Sequence, residues 1–159
     1  MEKVLSIHYQ EVEDVLSLDE SDRRLIEEAM TATKTAYAPY SHFQVGAAVL
    51  LADGTIVRGS NQENVAYPSG LCAERTAMFS ASVAFPGKPM AALAIAACNP
   101  QGEFVEASPC GACRQVMAEV QQRQGTPMRV LVYLHGGGVR IFSNVESLLP
   151  FLFDDTSLR

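Results

Sequence analysis

The chain has 159 residues, a length that fits one domain with its own hydrophobic core. Apolar residues make up 48% and charged residues 19%, the balance of a globular protein, and no apolar run reaches the roughly 20 residues of a membrane span. A net charge of −6, with 12 basic residues scattered along the chain, argues against a nucleic-acid surface and leaves a small molecule as the expected partner.

Residues 1–17 show no clear period and read as an N-terminal extension. Residues 1–10 carry acids and lack the continuous apolar core of a signal peptide, which points to a cytoplasmic protein. Ser17, Asp19 and Ser21 offer caps ahead of a helical stripe, Leu25, Ile26, Ala29, Met30, Thr33, Ala36 and Tyr37, and Pro39 ends this helix near Ala38. Residues 43–51 and 55–59 flank Asp53-Gly54 and read as a hairpin. Residues 61–70, with Pro68 and Gly70, form a loop before a helix over 72–83. Residues 90–98 are almost wholly apolar, as in a strand buried on both faces. A turn at Asn99-Pro100-Gln101-Gly102 precedes a short strand at Phe104 and Val105, a helix over 109–122, and a second hairpin of 129–134 with 139–142. A short helix is expected over 145–149. This order implies a mixed sheet covered by helices on both faces.

Two segments carry chemistry: Cys72-Ala73-Glu74-Arg75 and Pro109-Cys110-Gly111-Ala112-Cys113. Each opens a predicted helix, where unpaired N–H groups and the helix dipole favour thiolate over thiol. Three thiolates from Cys72, Cys110 and Cys113 can hold one zinc ion and leave the fourth tetrahedral position open, the mark of a catalytic rather than a closed structural site. A lone Cys-x-x-Cys also suits a redox pair or half of a zinc ribbon. The redox reading leaves Cys72-Ala73-Glu74 unexplained, and a ribbon wants a second Cys-x-x-Cys that this chain lacks. A ligand, a glutamate two residues on, and a later Pro-Cys-x-x-Cys together form the signature of zinc-dependent deaminases. Glu74 then takes the role of proton carrier. Three thiolates on one Zn²⁺ leave a net negative centre, and Arg75 beside them can offset part of that charge. Cys98, on an apolar strand, reads as a packed small hydrophobe. His42 reads as packing or exposure rather than a ligand, and His8 and His135 as surface residues.

The chain resembles the small, single-domain, homotetrameric cytidine deaminases over roughly residues 22–153. The matching stretches are Pro39-Tyr40-Ser41-His42-Phe43 with Val45-Gly46-Ala47-Ala48, then Asn61-Gln62-Glu63-Asn64, Cys72-Ala73-Glu74-Arg75-Thr76-Ala77, and Ser108-Pro109-Cys110-Gly111-Ala112-Cys113-Arg114-Gln115. The resemblance implies an α/β fold, a three-layer α/β/α sandwich around a five-stranded mixed sheet, with residues 18–159 as a single cytidine/deoxycytidylate deaminase-type zinc-binding domain. It implies one Zn²⁺ per subunit, with Glu74 as the proton shuttle and Arg75 beside the thiolates. It further implies that Asn61 and Glu63 hold the ribose, that Phe43 packs against the pyrimidine, and that the Ala73 N–H and the Ser108 carbonyl read the base edge. Phe153 matches an aromatic that reaches into a neighbouring subunit's site, so that sites are shared within a homotetramer.

The function so implied is hydrolytic deamination of cytidine and 2′-deoxycytidine to uridine and deoxyuridine with release of ammonia, a step of pyrimidine salvage, with no nucleic-acid or membrane partner. Two departures from the family pattern stand out: Gln44 replaces a frequent proline, and Gln62 replaces an apolar residue between the ribose pair. Gln62 should face away from the ribose if the segment is extended. The competing readings are a zinc deaminase acting on another aminopyrimidine or aminonucleoside, and a non-catalytic zinc-stabilised binding module. Glu74 separates the second from an enzyme, because a closed structural site has no use for a carboxylate beside an open position.

Overall fold

The apolar run Met90–Cys98 forms the central strand, and its alternation builds the two sides of the molecule. The computed structural model describes residues 1–158. In chain order it contains β1 (Gln10–Val12), α1 (Glu20–Ala32), β2 (Gln44–Leu51), β3 (Ile56–Ser60), α2 (Ala73–Ala84), β4 (Met90–Cys98), β5 (Phe104–Val105), α3 (Gly111–Gln124), β6 (Arg129–Tyr133) and β7 (Val139–Phe142). Along β4, Ala92, Ala94 and Ala96 turn to one face, where they meet Leu25, Ile26 and Ala29 of α1. Leu93 and Ile95 turn to the other face, against Ala77 and Met78 of α2 and Met117 of α3. A period of two on a strand with both faces covered requires this continuous apolar run.

The sheet runs β1-β7-β6-β4-β2-β3, with β5 added beside β4. The β4–β6 pair is parallel and the other pairs are antiparallel, so the sheet is mixed. Seven strands replace the five expected. β2, β3, β4, β6 and β7 are the expected five; β5 is the two-residue strand foreseen at Phe104 and Val105. β1 is the correction: the extension contributes a strand, pairing Glu11 with Arg140 and Val12 with Val139, and so covers the β7 edge. Three residues paired to one neighbour leave too short a pattern for periodicity to register.

Asp19 caps α1 through the Asp22 N–H at 2.9 Å. The helix stops at Ala32 rather than near Ala38, and the stripe continues only through a tight turn over Thr33–Thr35. There Thr33 and Thr35 donate their hydroxyls back to the carbonyls of Met30 and Ala32, which competes with helix continuation. Residues 145–149 form one hydrogen-bonded turn instead of the expected helix, closed by Leu149 N–H to the Val145 carbonyl and followed at once by Pro150.

Two glycines set how closely the layers approach. Gly46 on β2 lies under α1, and a Cβ there would sit 2.6 Å from the Thr33 nitrogen. Gly59 on β3 lies under α2, where a Cβ would run into the Ala77 backbone nitrogen and sit 2.7 Å from the Ala73 carbonyl oxygen. Only a residue without Cβ permits such contact. Gly59 pairs with Ala47, and Ala73 and Ala77 pack on that same face, so the start of α2 rests directly on the sheet. Gly59→Ala should therefore lift α2 and lower stability by about 1–3 kcal/mol, the usual cost of overpacking. Urea unfolding of the zinc-loaded protein checks this; an unchanged midpoint would show that α2 has slack above β3.

Candidate active site

Cys72 and Cys110 occupy the N-cap positions of α2 and α3, and neither spends its side chain on capping. Cys113 lies in the first turn of α3 and is fully buried. All three sulfurs lie within 4.8 Å of one another, and Cys72 Sγ is 3.7 Å from Cys110 Sγ. Tetrahedral zinc with Zn–S near 2.3 Å separates its sulfurs by about 3.8 Å, so the donor set fits the ion in chemistry and in spacing. All three thiols are free of disulfides.

The local electrostatics favour negative sulfur. Hydrogen bonding from Cys113 holds the Cys72 thiol down at about 5, helped by Arg75 and Cys110 against the opposing effect of burial. Cys113 moves upward, because its hydrogen bond to Cys72 and its burial both favour the thiol. Arg75 Nη2 also donates to Cys72 Sγ at 3.7 Å, while Arg75 Nε is buried without a partner. A guanidinium held against the thiolates in this way suits a site whose ligands carry more negative charge than a dication neutralises.

Glu74 follows Cys72 by two residues, in the first turn of α2, and is only 4% exposed. Burial pushes its carboxyl above the usual range, and the charge on Cys72 reinforces the shift. A carboxyl raised in this way holds its proton more firmly than a free one, which suits a group that takes up and releases protons.

A cavity of about 310 Å³ contains this group. Its floor is Cys72, Ala73, Glu74 and Cys110; Phe43, Val45 and Ile95 supply apolar wall; Asn61, Glu63, Ala107 and Ser108 line the remainder. Of the sequence-predicted residues, Phe43, Asn61, Glu63, Ala73 and Ser108 therefore converge on one space with Glu74, Cys72 and Cys110. An adjoining open groove of about 530 Å³, with Tyr40, Tyr67 and Leu71 on its walls, shares Asn61, Glu63 and Cys72 with it. Of the two, the smaller cavity is the one that Glu74 lines.

The polar wall is pre-organised by local bonds. Asn61 Oδ1 accepts from the Val45 N–H at 2.8 Å, and its Nδ2 donates to the Phe43 carbonyl at 2.9 Å. One further donor hydrogen and one lone pair remain for a ligand. Glu63 accepts from the Tyr40 N–H at 2.9 Å, from the Ser41 N–H at 3.3 Å and from the Ser41 hydroxyl, bonds that hold its carboxyl below the usual range. Gln62 donates to Ser60 Oγ at 3.2 Å and does not line the cavity with Glu74, but it lines the adjoining groove together with Asn61 and Glu63.

Phe153 is not brought to this cavity. It is 65% exposed, and its carbonyl accepts from Gln115 Nε2 at 2.8 Å on the outside of α3. Sequence reasoning missed Ser41, which joins Glu63 to the Phe43 N–H at 3.1 Å. It also missed Arg114, which donates to the carbonyls of Pro109 and Leu148, both at 2.8 Å. Both lie inside the matched stretches, but their partners are distant in sequence or are backbone atoms.

Comparison with known proteins agrees with this geometry. Residues 19–126 match the family model described as the cytidine and deoxycytidylate deaminase zinc-binding region, and the extension lies ahead of that match. A cytidine deaminase of Halalkalibacterium halodurans is 44% identical over 131 residues, covering 81% of this chain and 91% of that protein. One of Sporosarcina psychrophila is 52% identical over 96 residues, covering 60% and 67%. The crystal structure of cytidine deaminase from Burkholderia pseudomallei superposes with a TM-score of 0.70 at 43% identity, covering 82% of this chain and 97% of that one.

The purified protein should carry about one zinc per chain, from the three-thiolate count. Cys110→Ala should lose that zinc, as measured by elemental analysis after gel filtration. Full zinc content in the variant would remove Cys110 from the ligand set.

Proposed function

The chain belongs to the cytidine and deoxycytidylate deaminase family, and we propose that it converts cytidine, and 2′-deoxycytidine likewise, to the uracil nucleoside with release of ammonia. The observation that carries this reading is the placement of a buried carboxyl, Glu74, in one cavity with Cys72 and Cys110, two of the three clustered cysteines. A bound zinc ion supplies Lewis acidity, which makes water a nucleophile near neutral pH.

The chain's own residues perform the remaining tasks. Glu74 takes a proton from the attacking water and gives it to N3 of the pyrimidine as oxygen adds at C4. It then takes the proton of the new C4 hydroxyl and passes it to the C4 amino group, the C4–N bond breaks as the C4 carbonyl forms, and ammonia leaves. One carboxyl can serve both transfers because burial raises its proton affinity. Phe43 packs the ring, while the Ala73 N–H and the Ser108 carbonyl address the base edge from the cavity wall. Asn61 and Glu63 hold the sugar. Their bonds to the Phe43–Val45 and Tyr40–Ser41 backbones fix the wall before substrate arrives. Residues 18–159 form the catalytic domain in this reading, and the working compartment is the cytoplasm. Among the described residues no helix is long and apolar enough to cross a membrane.

The proposed active unit is a homotetramer in which Phe153 completes a neighbour's site. The exposed apolar side chains support it: Val65 at 79%, Tyr67 at 75%, Val83 at 84% and Phe151 at 97% are surfaces that association would cover. Phe151 also holds a backbone φ of 56°, a costly conformation for a bulky residue. Closed symmetry lets one chain supply a wall that another lacks.

Incubation with cytidine, followed by ultraviolet absorbance, tests the activity. Glu74→Gln keeps shape but not proton transfer, so turnover should fall at least ~10²-fold with zinc retained. Near-normal turnover would assign the proton to another group. The assembly has its own test. Phe153→Ala mixed with Cys110→Ala should recover activity that neither has alone, because a mixed tetramer pairs an intact metal site with a donated aromatic ring. Full activity in a protein that is monomeric by light scattering would overturn the shared site.

A further inference from the structure

The N-terminal extension is linked through one side chain, Arg140, to the loop that carries Ala107 and Ser108. On β7, Arg140 stands directly across from Glu11 of β1. Its Nε donates to Glu11 Oε1 at 2.6 Å, and its Nη1 donates to a carboxyl oxygen of Glu106. The ring of Tyr9, also from the extension, lies 5.5 Å from the guanidinium carbon and 5.8 Å from the ring of Phe142. The guanidinium is thus held on three sides: by a carboxylate and an aromatic face of the extension, and by a carboxylate of a different loop.

That loop matters for the site. Val105 is the last residue paired to the sheet and Gly111 the first of α3. Between them lie Ala107 and Ser108, which line the cavity with Glu74, and Cys110. Arg114 grips the far end of the loop at the Pro109 carbonyl. At the near end the grip is Glu106 on Arg140. An arginine presents its donors in a rigid fork, so a group that fixes one side of the fork orients the other. Glu11 and Tyr9 fix the Nε side and the face, and Nη1 is left aimed at Glu106.

We propose that residues 9–12 act as a positioning element for substrate binding, orienting Arg140 so that Glu106 holds the Ala107–Ser108 wall in place. Arg140 is a positioning residue, remote from the reacting atoms. This rests on the reading above that Ser108 addresses the base. The ion pairs are partly exposed, with side-chain exposures of 23% for Arg140, 45% for Glu11 and 44% for Glu106, so each coupling is modest. The effect falls on substrate affinity rather than on the zinc ligands.

The test uses the full-length, zinc-loaded protein with Glu11→Gln, Glu106→Gln, Arg140→Gln and the Glu11→Gln/Glu106→Gln double variant. Each single variant should raise KM for cytidine by roughly two- to fivefold, the range open to exposed ion pairs, with kcat and zinc content unchanged. The double variant should match Glu106→Gln, because once the loop is released the extension has nothing left to orient. Hydrogen exchange at the Ala107 and Ser108 amides should quicken in all four. A lowered melting temperature with KM and exchange unchanged would show that the extension only covers the sheet edge. So would a double variant whose effects simply add. Should the wild-type protein fail to turn over cytidine, the proposed function falls, while the exchange measurement still decides whether residue 11 governs the loop.

Discussion

Everything at the site depends on the close seating of α2 against the sheet. The strand beneath it offers Gly59 beside Ala47, and the helix offers Ala73 and Ala77, so backbone meets backbone with almost no side chain between. This seating fixes the N-terminus of α2 in space and with it Cys72, the residue that caps it. α3 begins with a second capping cysteine, and the sulfurs of the two caps stand 3.7 Å apart. Two helix N-termini turned toward one point supply positive potential where three sulfurs must carry negative charge. A larger residue at position 59 would shift one helix against the other, and the spacing between sulfurs is the quantity least able to absorb it.

The same seating explains why Glu74 is buried and holds its proton firmly. A carboxylate in the first turn of a helix is ordinarily solvated and stabilised by the dipole. Here the turn is pressed into the floor of a cavity, and loss of water outweighs the dipole, so the group holds its proton more firmly than a surface glutamate. Negative charge on Cys72 acts in the same direction. Arg75, one residue on, faces the sulfurs and opposes both effects. In the proposed function, three consecutive residues at one helix start divide the work: a backbone N–H at Ala73 for the ligand, a proton carrier at Glu74 and a counter-charge at Arg75.

Much of this was legible in the chain. The two cysteine segments pointed to metal chemistry once Cys72-Ala73-Glu74 was set beside the Cys-x-x-Cys pair, because a ligand's side chain and its helix start are neighbours in sequence. β4 was legible to the residue, since a strand buried on both faces leaves an uninterrupted apolar run with sharp ends. The sheet's edge was not. β1 is three residues long, and its pairing depends on Arg140 and Phe142, more than a hundred residues away. The end of α1 was misplaced because Thr33, Ala36 and Tyr37 keep the helical spacing while two threonine hydroxyls take the carbonyls that would continue the helix. Ser41 escaped notice for a related reason: its partner, Glu63, comes from another loop, and hydroxyl bonds to loop groups leave no periodic trace.

These contrasts separate the pocket into two mechanical parts. The floor consists of helix starts seated on glycine and alanine, where displacement would mean repacking the core. The walls consist of loops, each tied down by polar side chains: Asn61 to Phe43 and Val45, Glu63 to Ser41, Arg114 to Pro109, Arg140 to Glu106. Hydrogen bonds of this kind are worth about 0.5–1.5 kcal/mol each, so the walls can yield where the floor cannot. Chemistry that needs sulfur, carboxyl and substrate in fixed register belongs on the floor. Recognition of base and sugar, which must admit a ligand and release a product, belongs on the walls. An extension added at the far edge of the sheet can therefore reach the wall through one arginine while leaving the metal site undisturbed.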